Sequence, residues 1–104
     1  MKKAVIYARN EDESEIKKQL SSLKRYAKKN NYQIVGEFYD NSKKRINKEE
    51  MLSYLSNNPE VKIILISTLD RLTRNIQEFF NIQEQEIQII TVKYPMPETF
   101  SIIH

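Results

Sequence analysis

The chain has 104 residues, 39% hydrophobic and 30% charged, with a net charge of +3. That length suits a single domain over 1–104 with a modest core. No apolar run is long enough to span a membrane, and the lack of cysteine excludes disulfides and thiolate metal sites. The start has no signal-peptide h-region, so the expected location is cytoplasmic and no membrane partner is expected. The only histidine is the terminal His104, which reads as a chain end rather than a ligand.

Residues 3–9 read as a buried strand. Asp12, with Glu15 three residues on, resembles a capping box. Ile16, Leu20, Leu23 and Ala27 then recur at helical spacing, which predicts an amphipathic helix over 13–30 that Asn30-Asn31 stops. Its other positions gather Lys17, Lys18, Lys24, Arg25, Lys28 and Lys29. These read either as a solvated face or as a contact surface for nucleic acid or an acidic protein. Residues 32–39 form a second strand. Gly36, the sole glycine, falls inside it and marks a bulge or a close backbone approach.

Residues 40–47 form a polar, basic loop. Asn47 and Glu50 resemble a second cap, before a short helix with Met51, Leu52 and Leu55 that Asn57-Asn58-Pro59 ends. Val61 to Ile66 is apolar enough for a central strand. Leu72, Ile76, Phe79 and Phe80 give the stripe of a third helix, and Ile87 to Val92 a fourth strand. This β-α-β-α-β-α-β alternation predicts an α/β fold with a three-layer α/β/α arrangement. Its core is a mostly parallel four-stranded sheet, with a short extra edge strand as an option near 98–103. Pro95 and Pro97 interrupt the end of the chain. Phe100, Ile102 and Ile103 follow as an apolar tail that either folds back on the core or binds a partner, a second copy included.

Arg9 and the run Asp70-Arg71-Leu72-Thr73-Arg74 follow strands, at the sheet edge where α/β proteins bind ligands. Three arginines at one such edge suit an oxyanion, above all a phosphate. Arg71 and Arg74, three apart, are expected to share one face of the third helix near its positive end. Taken alone, Asp70 and its arginines also fit an ordinary surface network.

These segments, in this order, resemble the catalytic domain of serine recombinases, the resolvase/invertase family. Tyr7-Ala8-Arg9 resembles that family's Tyr-x-Arg-x-Ser motif, and Gln19 with Leu23 its Gln-x-x-x-Leu. Phe38-Tyr39-Asp40 resembles the end of its second strand. Asp70-Arg71-Leu72-Thr73-Arg74 resembles Asp-Arg-Leu-Ser-Arg, the most specific of these pieces. The resemblance spans roughly 3–94. It implies a serine that attacks a DNA phosphodiester without metal or nucleotide cofactor. It also implies arginines that bind the phosphate and stabilise transition-state charge. On this basis Arg9, Gln19, Arg45, Lys48, Arg71 and Arg74 are the phosphate- or DNA-binding candidates. No cofactor and no metal is expected.

The chain departs from the pattern in three places. The nucleophilic serine falls at Glu11, which cannot form the phosphoserine link. Ser14, three residues on, is a poor replacement because it sits in the first helical turn. The family's Arg-Pro signature is degraded: Lys48 aligns best with its arginine and Arg45 could stand in, but lysine lacks the bidentate fork. The chain also ends where the family's long dimer-forming helix would begin, without a C-terminal DNA-reading domain. Arg9, Glu11, Lys48, Asp70, Arg71 and Arg74 thus form a degenerate site. Glu11 is expected to pair with Arg9, Arg71 or Arg74 and plug the phosphate position, or else to point into solvent.

The leading expectation is a catalytically inactive recombinase-like domain in a mobile-element or phage setting, whose partner is a recombinase or another protein. The alternatives are a weak nucleic-acid-binding module and a residual recombinase or other phosphoryl-transfer enzyme. For the last, Asp40 and Asp70 are too sparse a pair to argue a metal.

Overall fold

A computed structural model of the chain describes residues 1–41 and 46–93. Arg45, the optional edge strand near 98–103 and the apolar tail Phe100, Ile102 and Ile103 lie outside the described residues. Four strands and four helices follow in the order β1 (Lys2–Arg9), α1 (Glu13–Lys29), β2 (Tyr32–Asp40), α2 (Ile46–Asn57), β3 (Ile63–Ile66), α3 (Leu69–Leu72), α4 (Ile76–Glu84) and β4 (Gln88–Thr91). The strands form one sheet in the order β2-β1-β3-β4, and every pairing is parallel.

Strand alternation splits the core into two layers. Ala4, Ile6 and Ala8 of β1, with Ile63 and Leu65 of β3, face Ile16, Leu20, Leu23 and Ala27 of α1. Val5 and Tyr7, with Ile64 and Ile66, face Met51 and Leu55 of α2 and Phe79 and Ile82 of α4. β1 and β3 are buried on both faces, which explains their unbroken apolar runs.

Local signals set most boundaries. The Asp12 carboxylate accepts from the backbone N–H of Ser14 at 2.8 Å and caps α1. Asn30 ends that helix, and Asn31 turns the chain at φ 61°, a conformation asparagine tolerates. The β1–β2 register slips between Ala4, opposite Ile34, and Val5, opposite Gly36, so β2 carries the bulge its glycine suggested. A Cβ on Gly36 would sit 2.8 Å from Phe38 Cε2 and 3.2 Å from Val5 Cγ1.

Two sequence-based expectations are corrected. The third helix is two helices. Thr73 takes an extended conformation (φ −157°, ψ 150°), and its hydroxyl accepts from the Asn75 N–H at 3.0 Å. Asn75 then caps α4 by accepting from the N–H groups of Gln77 and Glu78. Threonine and asparagine side chains compete with helical hydrogen bonds in this way, and here they win. Asn47 likewise does not cap α2. The helix already includes Ile46 and Asn47, and the Asp40 carboxylate, at the end of β2, accepts from the N–H groups of Asn47 (3.1 Å) and Lys48 (3.0 Å). The cap comes from seven residues upstream, beyond the reach of a local sequence motif.

Candidate functional site

Parallel strands bring their C-terminal ends to one edge of the sheet. Arg9 ends β1, Asp40 ends β2, and the Asp70–Arg74 run follows β3. The Asn10 N–H donates to the Asp40 carbonyl at 3.3 Å, which ties the first two ends together.

Gln19 secures Arg9 from the side of α1. Its Oε1 accepts from the Arg9 N–H at 3.2 Å and its Nε2 donates to the Arg9 carbonyl at 3.1 Å. The amide thus mimics a neighbouring strand and fixes the backbone from which the Arg9 side chain leaves. Strand alternation puts that side chain on the Tyr7 face of β1.

Asp40 is the most connected acid of this edge. It is 6% exposed and accepts from the fully buried Tyr7 hydroxyl at 2.7 Å, besides capping α2. A buried carboxylate needs such donors, because burial without them is costly. Tyr7 therefore serves as an anchor between β1, β2 and α2.

Lys48 faces inward. It is 4% exposed, and its Nζ donates to Glu78 Oε1 at 2.8 Å and Oε2 at 2.9 Å. A phosphate reaching this ammonium would have to displace Glu78. The partner stands 30 residues away on α4, so no sequence motif pointed to it.

Asp70 accepts from the Thr68 hydroxyl, and its carboxylate lies 4.0 Å from Arg74 Nη2. The Thr68 hydrogen bond, the largest influence, holds its carboxyl below the ordinary value of 3.8; burial opposes it, and the charges of Arg71 and then Arg74 add smaller lowering effects. Arg71 and Arg74 do not share a helix face, because the chain breaks at Thr73. Arg71 lines a hollow of about 400 Å³ with Lys18 and Gln19 of α1, Thr68 and Lys93. Arg74 lines another of about 480 Å³ with Thr73, Ile76 and Phe79, on the α4 side. Arg71 and Arg74 thus line two different hollows, one beside α1 and one beside α4.

Glu11 is exposed, and among the described residues no ion pair joins it to Arg9, Arg71 or Arg74. Of the two orientations considered for Glu11, the structure shows the solvent-facing one. No cluster of three histidine, aspartate or glutamate side chains among the described residues is arranged to hold a metal ion. None of their helices is long and apolar enough to cross a membrane.

The same architecture recurs in solved structures. A resolvase family site-specific recombinase from Streptococcus pneumoniae superposes with a TM-score of 0.82 at 25% identity, over 95% of this chain and 77% of that one. The N-terminal catalytic domain of TP901-1 integrase gives 0.81 at 20% identity, over 97% and 88%. The C-terminal catalytic domain of ISC1926 TnpA, an IS607-like serine recombinase, gives 0.78 at 24% identity, over 96% and 74%. No curated protein matches the sequence significantly. The family model of the resolvase N-terminal domain matches residues 4–101, nearly the whole chain, and the all-parallel sheet and the Asp70–Arg74 edge agree with it: this protein belongs to the resolvase N-terminal domain family.

Proposed function

We propose that this chain is a catalytically inactive resolvase-type domain that works through protein contacts, by pairing with an active serine recombinase of a mobile element or phage and modulating it. The observation that carries this reading is Glu11. It falls at the place of the serine in a motif whose Tyr7 and Arg9 are kept, and it is exposed at the turn between β1 and α1. A carboxylate there cannot yield the phosphoserine ester, and its charge opposes an incoming phosphodiester. The pairing of Lys48 with Glu78 supports the same reading, since it occupies a cation that would otherwise serve the phosphate.

The test has two arms. Supercoiled plasmid incubated with the chain and quenched in detergent should yield no covalent protein–DNA adduct. Co-expression with a tagged, active serine recombinase should give a mixed assembly in native mass spectrometry and reduced strand exchange. A serine-linked DNA adduct recovered from this chain would overturn the inactive assignment. A strictly monomeric chain that leaves strand exchange unchanged would overturn the regulatory one.

A further inference from the structure

α1 buries Ile16, Leu20, Leu23 and Ala27, and all its other long side chains beyond the first turn bar Gln19 and Tyr26 are cationic. At about 100° per residue, Lys17, Lys18, Lys24, Arg25, Lys28 and Lys29 share an arc of about 140° opposite the core. Six cations against Glu13 and Glu15 give the helix a net charge of +4, more than the +3 of the entire chain. Lys18 pairs with Glu15 and Lys24 with Glu37, both in exposed pairs that contribute little. Lys17, Arg25, Lys28 and Lys29 have no carboxylate partner among the described residues.

The helix itself does not need this arrangement. Lys28 and Lys29 complement the dipole at its C-terminus, an effect that fades within the last turn and does not extend to Lys17, Lys24 or Arg25. The i, i+4 repeats Lys24–Lys28 and Arg25–Lys29 are mutually repulsive.

We propose that the outward face of α1 docks the phosphate backbone of duplex DNA without reading its sequence, on a surface that meets the Asp70–Arg74 edge only at Lys18. Lysine is depleted in protein–protein interface cores, which favour aromatic anchors. The exposed large hydrophobics of the described residues (Met1, Tyr39, Ile46 and Ile76) all lie off α1. A protein partner would therefore find charge but no anchor. A single strand would find no stacking platform, since Tyr26 is half-buried and stacks on Tyr32 with ring centroids 6.2 Å apart. The length fits a duplex: Lys17 to Lys29 span about 18 Å of helix, and a duplex offers about one negative charge per 1.7 Å of axis. This inference does not depend on catalytic inactivity: of the six cations only Lys18 lines the hollow that Arg71 lines, and Lys17, Arg25, Lys28 and Lys29 lie outside it.

The test is fluorescence anisotropy of a labelled duplex of arbitrary sequence against the full chain, between about 50 and 200 mM salt. The parent should bind at low salt and weaken steeply as salt rises. The variant Lys17→Gln/Arg25→Gln/Lys28→Gln/Lys29→Gln keeps good helix formers and should bind at least about tenfold more weakly at low salt, with a log–log salt slope reduced by about three to four. Lys17→Gln/Lys28→Gln, a milder change, should reduce the slope by about two. Arg71→Gln/Arg74→Gln should retain most of the binding. The proposal is overturned by a parent that ignores duplex at low salt, by α1 variants that bind like the parent, by tighter binding to single strands, or by loss confined to the Arg71/Arg74 variant.

Discussion

Lys48 of α2 and Glu78 of α4 form a two-point ion pair, with 5% of the lysine and 30% of the glutamate side chain exposed. The pair joins the two helices that cover one face of the sheet. Lysine is rarely so buried, and its charge is tolerated because both carboxylate oxygens meet the ammonium.

Removing one partner should therefore cost more than an ordinary surface substitution. Glu78→Ala leaves the Lys48 ammonium buried without its acid, and urea unfolding should show a loss of about 2–4 kcal/mol. The double variant Lys48→Met/Glu78→Leu should recover most of that loss, because apolar groups of similar volume need no counter-charge. A double variant as unstable as Glu78→Ala would show that packing of the lysine stem, not charge pairing, dominates.

The Tyr7 hydroxyl offers a cleaner test of the network around Asp40. Tyr7→Phe removes one donor to a buried carboxylate and leaves the ring packing intact. A loss of about 1.5–3 kcal/mol is expected from thermal or urea denaturation, in line with hydrogen bonds to charged groups. Asp40→Ala should cost more, since it also uncaps α2. Amide exchange at Asn47 and Lys48 should rise in that variant.

At Gly36 the constraint is space. A methyl group there meets the Phe38 ring and Val5 at less than ordinary contact distance. Phe38 packs against the core and cannot swing freely. Gly36→Ala should destabilise by about 1–2 kcal/mol, with overpacking outweighing the entropic gain of losing a glycine. A variant as stable as the parent would show that the bulge can absorb the methyl group.

The acid limb of stability should report two exposed carboxyls. Asp12 is held below the ordinary value of 3.8, chiefly by the Ser14 hydroxyl and then by the Ser14 N–H, and Asp70 chiefly by the Thr68 hydroxyl. Groups with depressed folded values stabilise above the unfolded value of 3.8, and that contribution is lost as pH falls through the folded values. The melting temperatures of the parent and of Asp12→Asn should therefore differ at neutral pH and converge at strongly acidic pH. A gap that stays constant through the acid range would show that hydrogen-bond geometry, not ionisation, is responsible.

Much of this architecture was legible in the sequence. Apolar runs marked β1 and β3, and the 16-20-23-27 stripe marked α1, because burial on one side imposes a period that survives in any context. Gly36 marked its bulge, and the edge carrying Arg9 and Asp70–Arg74 followed from strand order alone. The break at Thr73 was hidden because the apolar stripe of Leu72, Ile76 and Phe79 runs across it, as though one helix continued. The two hollows that receive Arg71 and Arg74 follow from that break.

The chain by itself determined the strands, the first two helices and which residues its catalytic-type motif keeps, since these are written in local spacing. Only the folded molecule decided that Lys48 meets Glu78, that Asp40 caps α2 and receives Tyr7, and that Glu11 points to solvent. Those contacts join residues far apart along the chain, or depend on whether a charged group finds a partner before it finds water. The energy of a charge is set by its surroundings in three dimensions, and no linear pattern records them.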